Sequence, residues 1–412
     1  MYRIKLNQAE SVRLASVVAP VVKPGRSLLD LFYEHCCAGA FSIVFFFCNC
    51  HYAPLNIICF EISLKIHNRF AESRKHMPKM MHTWLTGFGK MVLWLVLLGM
   101  TAWGALAICY SYLPEAAKVV LSILFAMSQL AVLLFVRPRL LAYAVFSVLF
   151  LLVLLGWFSM KPSNNREWQA DVALLPYAAI EGNQVTVYNI RNCEYRSETD
   201  YTARYYNKTF DLSKLNSIDL YVVNWGIKYI SHTMISFGFQ GDQYLCVSIE
   251  TRKEKGEGYS TIKGFFRQYE LFYVVADERD LVRLRTNYRK DETVYLYRIQ
   301  GSKEFFRNLF LDYMRYINHL KTDPEWYNAV TGNCTTQIRG HARHYTGRNN
   351  WDWRILLNGS VDEMAYEQGL LHQSLPFQTL KEKSRINKRA QALDRDQDFS
   401  IGIRENLPGM GG

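Results

Sequence analysis

The hydrophobic pattern takes three forms along the chain. Residues 91–110, 118–136 and 140–159 are continuous apolar runs, each about 17 to 20 residues and so long enough as a helix to cross the hydrocarbon core of a bilayer. The only strong charges from the first run to the last are Glu115 and Lys118 in one connection and Arg137 and Arg139 in the next. Beyond a short polar stretch the period falls to two. Runs at 184–190, 218–224, 232–239, 244–250, 271–276 and 293–299 alternate as strands. From Ser302, a residue suited to an N-cap, Phe306, Leu309, Phe310, Tyr313, Ile317 and Leu320 recur every three or four positions, which predicts an amphipathic helix. After Pro324 a second helix is predicted to start at Cys334.

These periods imply an α+β chain: three transmembrane helices over 81–160, a linker over 161–178, one mixed domain over 179–375 with an antiparallel sheet and packed helices, and a charged tail over 376–412. Lys381, Lys383, Arg385, Lys388 and Arg389 suggest a solvated helix face for that tail. The arginines of the second connection and the lysines at 79 and 90 place those segments in the cytoplasm, so everything after Met160 is expected outside it, in the periplasm of a multi-pass inner-membrane protein. The first eighty residues fit less simply. They hold Cys36, Cys37, Cys48, Cys50 and Cys59 around the apolar patch 41–47, and the spacing of Cys48, Cys50 and His51 matches no zinc pattern. A fourth span over 36–60 is broken by Asn49, His51 and Pro54. Translation starting near Met77, Met80 or Met81 is the preferred explanation, with the upstream part an extension.

Composition adds little to this and excludes one class. The 412 residues are 50% hydrophobic and carry a formal charge of +11, but the basic residues are interspersed with acidic ones and no nucleic-acid motif accompanies them. On a membrane protein such a balance fits anionic lipid and topology.

The chemistry converges on Cys334, in Gly332-Asn333-Cys334-Thr335-Thr336. A thiol at a helix N-terminus meets unpaired backbone N–H groups and the positive end of the helix dipole, which favour its thiolate. Asn333 can cap that helix, and the Cys334 N–H is a candidate oxyanion donor. Upstream, His232 opens a strand. The hydrophobic pattern around Gln240-Gly241-Asp242 selects a hairpin register in which Phe239 faces Gln243, Ser236 faces Cys246, Met234 faces Ser248 and His232 faces Glu250. One face is then small or polar. The other, with Ile235, Phe237 and Phe239 against Ile249, Val247 and Leu245, is a core face. Opposed positions stand about 4.5–5.5 Å apart at Cβ, so Glu250 either orients His232 or forms a plain cross-strand ion pair. Asn333, Thr335 and Ser236 are candidates for substrate contact. Cys193 and Cys246 lack such flanks and read as structural. His341 and His344, seven and ten residues beyond Cys334, start too far along the helix axis to reach its thiol, and no metal or cofactor is called for.

The stretches Asn189-Ile190-Arg191-Asn192, Tyr195-Arg196-Ser197-Glu198-Thr199-Asp200-Tyr201, Ser231-His232-Thr233, Ile249-Glu250-Thr251-Arg252-Lys253-Glu254 and Asn333-Cys334-Thr335-Thr336 together resemble the Lnb N-terminal periplasmic domain family, over roughly residues 180–375. The resemblance implies a thiol site with Cys334 as nucleophile and His232 as base. It implies transacylation of the kind that makes lyso-form lipoprotein, with membrane lipid or lipoprotein as substrate. More distantly, a strand His followed by a helix-start Cys is similar to the permuted papain-like (NlpC/P60-like) arrangement of lipid acyltransferases and amidases. Glu250 is not carried over by the resemblance; it rests on register alone. The family's characterised transacylase has further membrane helices after the domain, whereas here the spans precede it, which leaves open a cysteine amidase or peptidase acting on cell-wall peptide, or a non-enzymatic binding or assembly module.

Overall fold

The computed structural model describes residues 79–410, except 228, 330, 347–351 and 356–357. The cysteine-rich stretch and the fourth-span reading of residues 36–60 lie outside the described residues. The chain divides into two units, Met1–Trp157 and Phe158–Gly412.

In the first unit, helices α1 (Lys79–Cys109), α2 (Glu115–Phe135) and α3 (Arg139–Ser159) follow the three apolar runs. Each holds a stretch long and apolar enough to cross a membrane, at Thr86–Cys109, Glu115–Phe135 and Arg139–Ser159. Leu97, Leu133 and Phe146 form the small core where they meet, and a Cβ on Gly104 would collide with the Phe125 ring, so the absence of a side chain there permits the close approach of α1 and α2. Gln129 is fully buried and its side-chain Nε2 donates to the Phe146 carbonyl at 3.3 Å, a partner for that nitrogen that lipid could not supply.

The second unit is built on a mixed sheet in the order β1-β2-β9-β8-β7-β6-β10, with β5 pairing β2 off that path. The strands are β1 (Tyr177–Glu181), β2 (Gln184–Arg191), β3 (Glu194–Tyr195), β4 (Tyr201–Thr202), β5 (Tyr205–Asp211), β6 (Leu215–Asn224), β7 (Ser231–Phe239), β8 (Gln243–Arg252), β9 (Glu270–Ala276) and β10 (Thr293–Arg298); β3 and β4 form a separate two-stranded pair. All ladders but one are antiparallel. The exception joins β2 to β9 in parallel at Arg191 and Ala276, which makes the sheet mixed where a purely antiparallel one was expected.

Helix α4 (Glu278–Arg283) follows β9 and runs into a π-helical turn, Leu284–Tyr288. Helix α5 (Lys303–Thr322) begins where Ser302 Oγ accepts the Phe305 N–H at 3.1 Å, and all six residues of the predicted stripe are buried. Helix α6 (Cys334–Thr346) comes next, then α7 (Val361–Glu367), α8 (Phe377–Lys383), α9 (Asn387–Ala392) and α10 (Phe399–Gly402). The α5 stripe and α6 cover the sheet face carrying Ile235, Phe237, Phe239, Leu245, Val247 and Ile249, the core face the register predicts.

The opposite face, read from sequence as merely small and polar, is also buried. Met234 and Cys246 pack there with Leu281, Ile386, Ala390, Phe399, Ile403 and Leu407. The segment expected as a charged tail over 376–412 therefore forms, in its described residues 376–410, the second layer over the sheet. Their lysines and arginines lie at its outer edge or find partners, as Lys381 does in Asp362 at 2.8 Å. The expected linker 161–178 is likewise packed: Trp168 and Val172 are buried, and the Arg252 guanidinium stacks on the Trp168 ring at 4.2 Å.

Candidate functional site

Residues 332–334 turn from loop to helix as Asn333 caps α6. Its side-chain oxygen accepts the Thr336 N–H at 3.0 Å, three residues into the helix, and its amide donates to the Ala329 carbonyl at 3.2 Å. That leaves Cys334 as the first helical residue, 6% exposed, its sulfur against the core beneath α6. The Asn358 Nδ2 amide lies 3.8 Å from Sγ and donates to Thr335 Oγ1 at 2.7 Å. Asn358 is held from behind: its Oδ1 accepts the Ser231 N–H at 2.9 Å, and its carbonyl accepts Ser231 Oγ at 2.6 Å. Thr335 Oγ1 also meets Thr233 Oγ1 at 3.2 Å. The residues on either side of His232 are thus both bonded to the Cys334 cluster.

His232 takes the other direction. Strand alternation puts Ser231 and Thr233 on the α6-covered face, toward Asn358 and Thr335, and the imidazole between them on the opposite face, with Ser248 and Glu250 of β8 and Val223 of β6. There Nε2 lies 2.7 Å from Ser248 Oγ, and Ser248 Oγ donates to Glu250 Oε1 at 2.7 Å. The carboxylate accepts a second bond from Arg285 Nη2 at 3.0 Å and stands 3.7 Å from His232 Nε2. This chain fixes the tautomer. Ser248 has one hydroxyl proton, Glu250 as a carboxylate can only accept, and so Ser248 must accept from Nε2–H. Nδ1 is then the basic nitrogen.

The electrostatics agree with a neutral ring. Burial, then the nearby Arg285 guanidinium, push the His232 pKa down from 6.5 to about 3 against the pull of Glu250. Burial is the largest influence on the Glu250 carboxyl and would raise it, but Arg285, His232, Arg289 and Arg191 together outweigh burial and hold it well below the usual carboxylate range.

The expected residues divide cleanly. The hairpin register is the predicted one, with Phe239 opposite Gln243 and Met234 opposite Ser248. Glu250 reaches His232 through Ser248 rather than directly. Asn333 and Thr335 lie at Cys334. Ser236 does not: fully buried and four residues farther along β7, it donates to Glu278 Oε1 at 2.6 Å in a separate network that includes Arg404 and Tyr221. His232 and Cys334 sit on adjacent elements, and no hydrogen bond joins them among the described residues. His341 is engaged elsewhere, with Asp312 Oδ2 at 2.7 Å on one ring nitrogen and the Tyr273 hydroxyl at 2.8 Å on the other. Cys193 and Cys246 are buried free thiols; burial and Asp280 push the Cys193 thiol up to about 12.

Three participants escaped sequence reasoning. Ser248 was legible as the residue opposite Met234, two before Glu250 on one face, but carried no chemistry of its own. Asn358 and Arg285 reach the site from distant turns, and only the folded chain brings them in.

No curated protein and no solved structure matches this chain. Residues 201–359 match the family model of the Lnb N-terminal periplasmic domain, a span that begins at Tyr201, the last residue of the resembling stretches at 189–192 and 195–201, and contains His232, Ser248, Glu250, Cys334 and Asn358. Within the second unit, residues 201–359 are therefore similar to Lnb N-terminal periplasmic domains.

Proposed function

We propose that the protein is a membrane-anchored thiol acyltransferase of the periplasmic face, with Cys334 as nucleophile and His232 as base. The observation that carries the reading is the tautomer: Ser248 and Glu250 hold His232 with its proton on Nε2 and its lone pair on Nδ1, one strand position from the residues bonded to Asn358 and Thr335. In this reading Nδ1 takes the thiol proton; because the imidazole and the thiol stand on opposite faces of the sheet at the start of β7, the step requires that end of β7 to rearrange when substrate binds. The thiolate adds to the carbonyl of an ester-linked acyl group. The Cys334 N–H and Asn358 Nδ2 donate to the oxyanion. Collapse breaks the ester C–O bond, the alcohol leaves with the proton from His232, and the acyl group stays on sulfur as a thioester. An amine then attacks the thioester, giving an amide and the free thiol. The three apolar helices favour a lipid-linked donor such as a lipoprotein, and Arg137 and Arg139 favour the outer face for the domain.

The test is covalent trapping. The full chain incubated with a diacylated lipopeptide is expected to gain one fatty-acyl mass on the peptide containing Cys334, removable by hydroxylamine and absent in Cys334→Ala. His232→Ala is expected to slow acylation by roughly 10²–10⁴-fold. A peptidyl adduct on Cys334 from a cell-wall peptide would instead support a cysteine amidase. If no adduct forms and Cys334→Ala fully complements a deletion strain, the domain acts by binding and not by catalysis.

A further inference from the structure

We propose that the end of the sheet beside Cys334 is a bilayer-contacting surface, formed by the β6–β7 and β8–β9 connections, that lets the site draw its acyl donor directly from the membrane; it deepens the proposed reading and rests on it for the identity of the cargo. Both connections leave the same end, because β6, β7, β8 and β9 are consecutive antiparallel neighbours. Each exposes large apolar side chains in a unit whose other apolar groups are mostly buried: Ile227 is 56% and Ile230 45% exposed on the first, and Tyr259 58%, Ile262 52% and Phe265 40% on the second. Isolated exposed leucines or isoleucines mean little, but a cluster of aliphatic and aromatic tips on two adjoining loops is the composition of an interfacial anchor.

Two further observations fix where these loops stand. Their backbones are tied to the site: the Tyr229 carbonyl accepts the N–H of Gly359, next to Asn358, at 3.1 Å, and the Gly264 carbonyl accepts the Ala329 N–H at 3.3 Å, on the approach to Asn333. The second connection is also tied to the point where the chain leaves its last apolar helix. Arg267 Nη1 and Trp326 Nε1 both donate to the Met160 carbonyl at 3.4 Å, and the Arg267 guanidinium lies over the Phe158 ring at 5.1 Å. A loop held to residues 158–160 is held at the membrane interface, where aromatic and aliphatic side chains are stable with one end in the headgroups. The opposite end of the same strands turns at Gln240-Gly241-Asp242, polar and exposed.

Photo-crosslinking of the full chain in phospholipid nanodiscs tests this. p-Benzoylphenylalanine in place of Ile227, Ile262 or Phe265, one at a time, is expected to give lipid adducts by mass spectrometry, with only background at Asp242. Lipid adducts no higher at the three loop positions than at Asp242, or adducts to a protein chain in their place, would overturn the proposal. Acylation of Cys334 measured in the same samples separates the two ideas: a site that acylates without lipid contact at the loops keeps its chemistry and loses only this surface.

Discussion

Ser248 gives its one proton to Glu250, and that choice is what leaves Nδ1 of His232 as the free base. Ser248→Ala removes the acceptor for Nε2–H and leaves a buried donor unpaired, at a cost of about 1–3 kcal/mol. Its acylation rate is expected to fall further than its stability, since the tautomer is no longer fixed. The His232 ring also gives a pH signature. Its folded pKa, near 3, lies below its ordinary 6.5. Between those values the unfolded chain binds a proton that the folded chain does not, so stability is full above about 6.5 and drains away as pH falls toward 3. Glu250, held low by Arg285, adds a loss of the same sign below the ordinary carboxylate range. Urea unfolding midpoints are expected to drop from pH 7 to pH 4 in the wild type and to drop less between pH 6.5 and 5 in His232→Gln. Equal slopes there would show that the imidazole titrates normally in the folded chain. Ser248 illustrates how far single residues could be read ahead: its position followed from the hairpin register, yet its role depends on the acceptor at Glu250 and the donor at His232 together.

At the scale of elements, the strongest periods were the most legible. The α5 stripe and the β7–β8 register follow from contrasts that one-residue slips would invert, and both stand as expected. Strands β1 and β5 were not anticipated, because Tyr177–Glu181 and Tyr205–Asp211 mix polar residues into half-buried positions and carry no clean alternation. Phe310 lies at the centre of the α5 contact, fully buried, with the Phe237, Phe239 and Phe210 rings at 5.0, 5.5 and 6.5 Å. Phe310→Ala is expected to cost about 3–5 kcal/mol, and because the cavity lies under the sheet and away from Asn333 and Asn358, it should lower the thermal midpoint with little change in acylation rate well below that midpoint. A proportionate loss of rate would mean that α5 helps position the thiol.

At the scale of the whole molecule, the second sheet face is held by a buried ion network centred on Arg404, with Arg298 as a second partner of Asp219. Arg404, 5% exposed, pairs with Glu278 Oε1 at 2.6 Å and Asp219 Oδ2 at 2.9 Å, both carboxylates fully buried. Their network takes in Tyr221 and Ser236, and the guanidinium lies over the Tyr244 ring at 3.6 Å. Arg404→Ala leaves the buried Glu278 carboxylate without its cation, while Asp219 keeps Arg298, and is expected to destabilise the unit by about 3–5 kcal/mol, read by denaturant unfolding in detergent. An unchanged midpoint would mean the segment after residue 376 contributes little to the fold. Sequence alone misjudged this segment because its apolar anchors, Ile386, Ala390, Phe399, Ile403 and Leu407, are sparse among charges, and because the small side chains of Ser236 and Cys246 are what leave room for the layer above them.

Asn358 spans the narrow distance between the thiol and the strand that carries the imidazole, with its nitrogen toward sulfur and its oxygen on the Ser231 amide. A side-chain amide is rigid and planar, so one end cannot turn without the other. A group that grows on the sulfur and pushes the nitrogen aside must also loosen the grip on Ser231, and with it the start of β7. On the proposed reading, occupancy of the thiol would be transmitted through Asn358 to the backbone beside His232 as a mechanical signal.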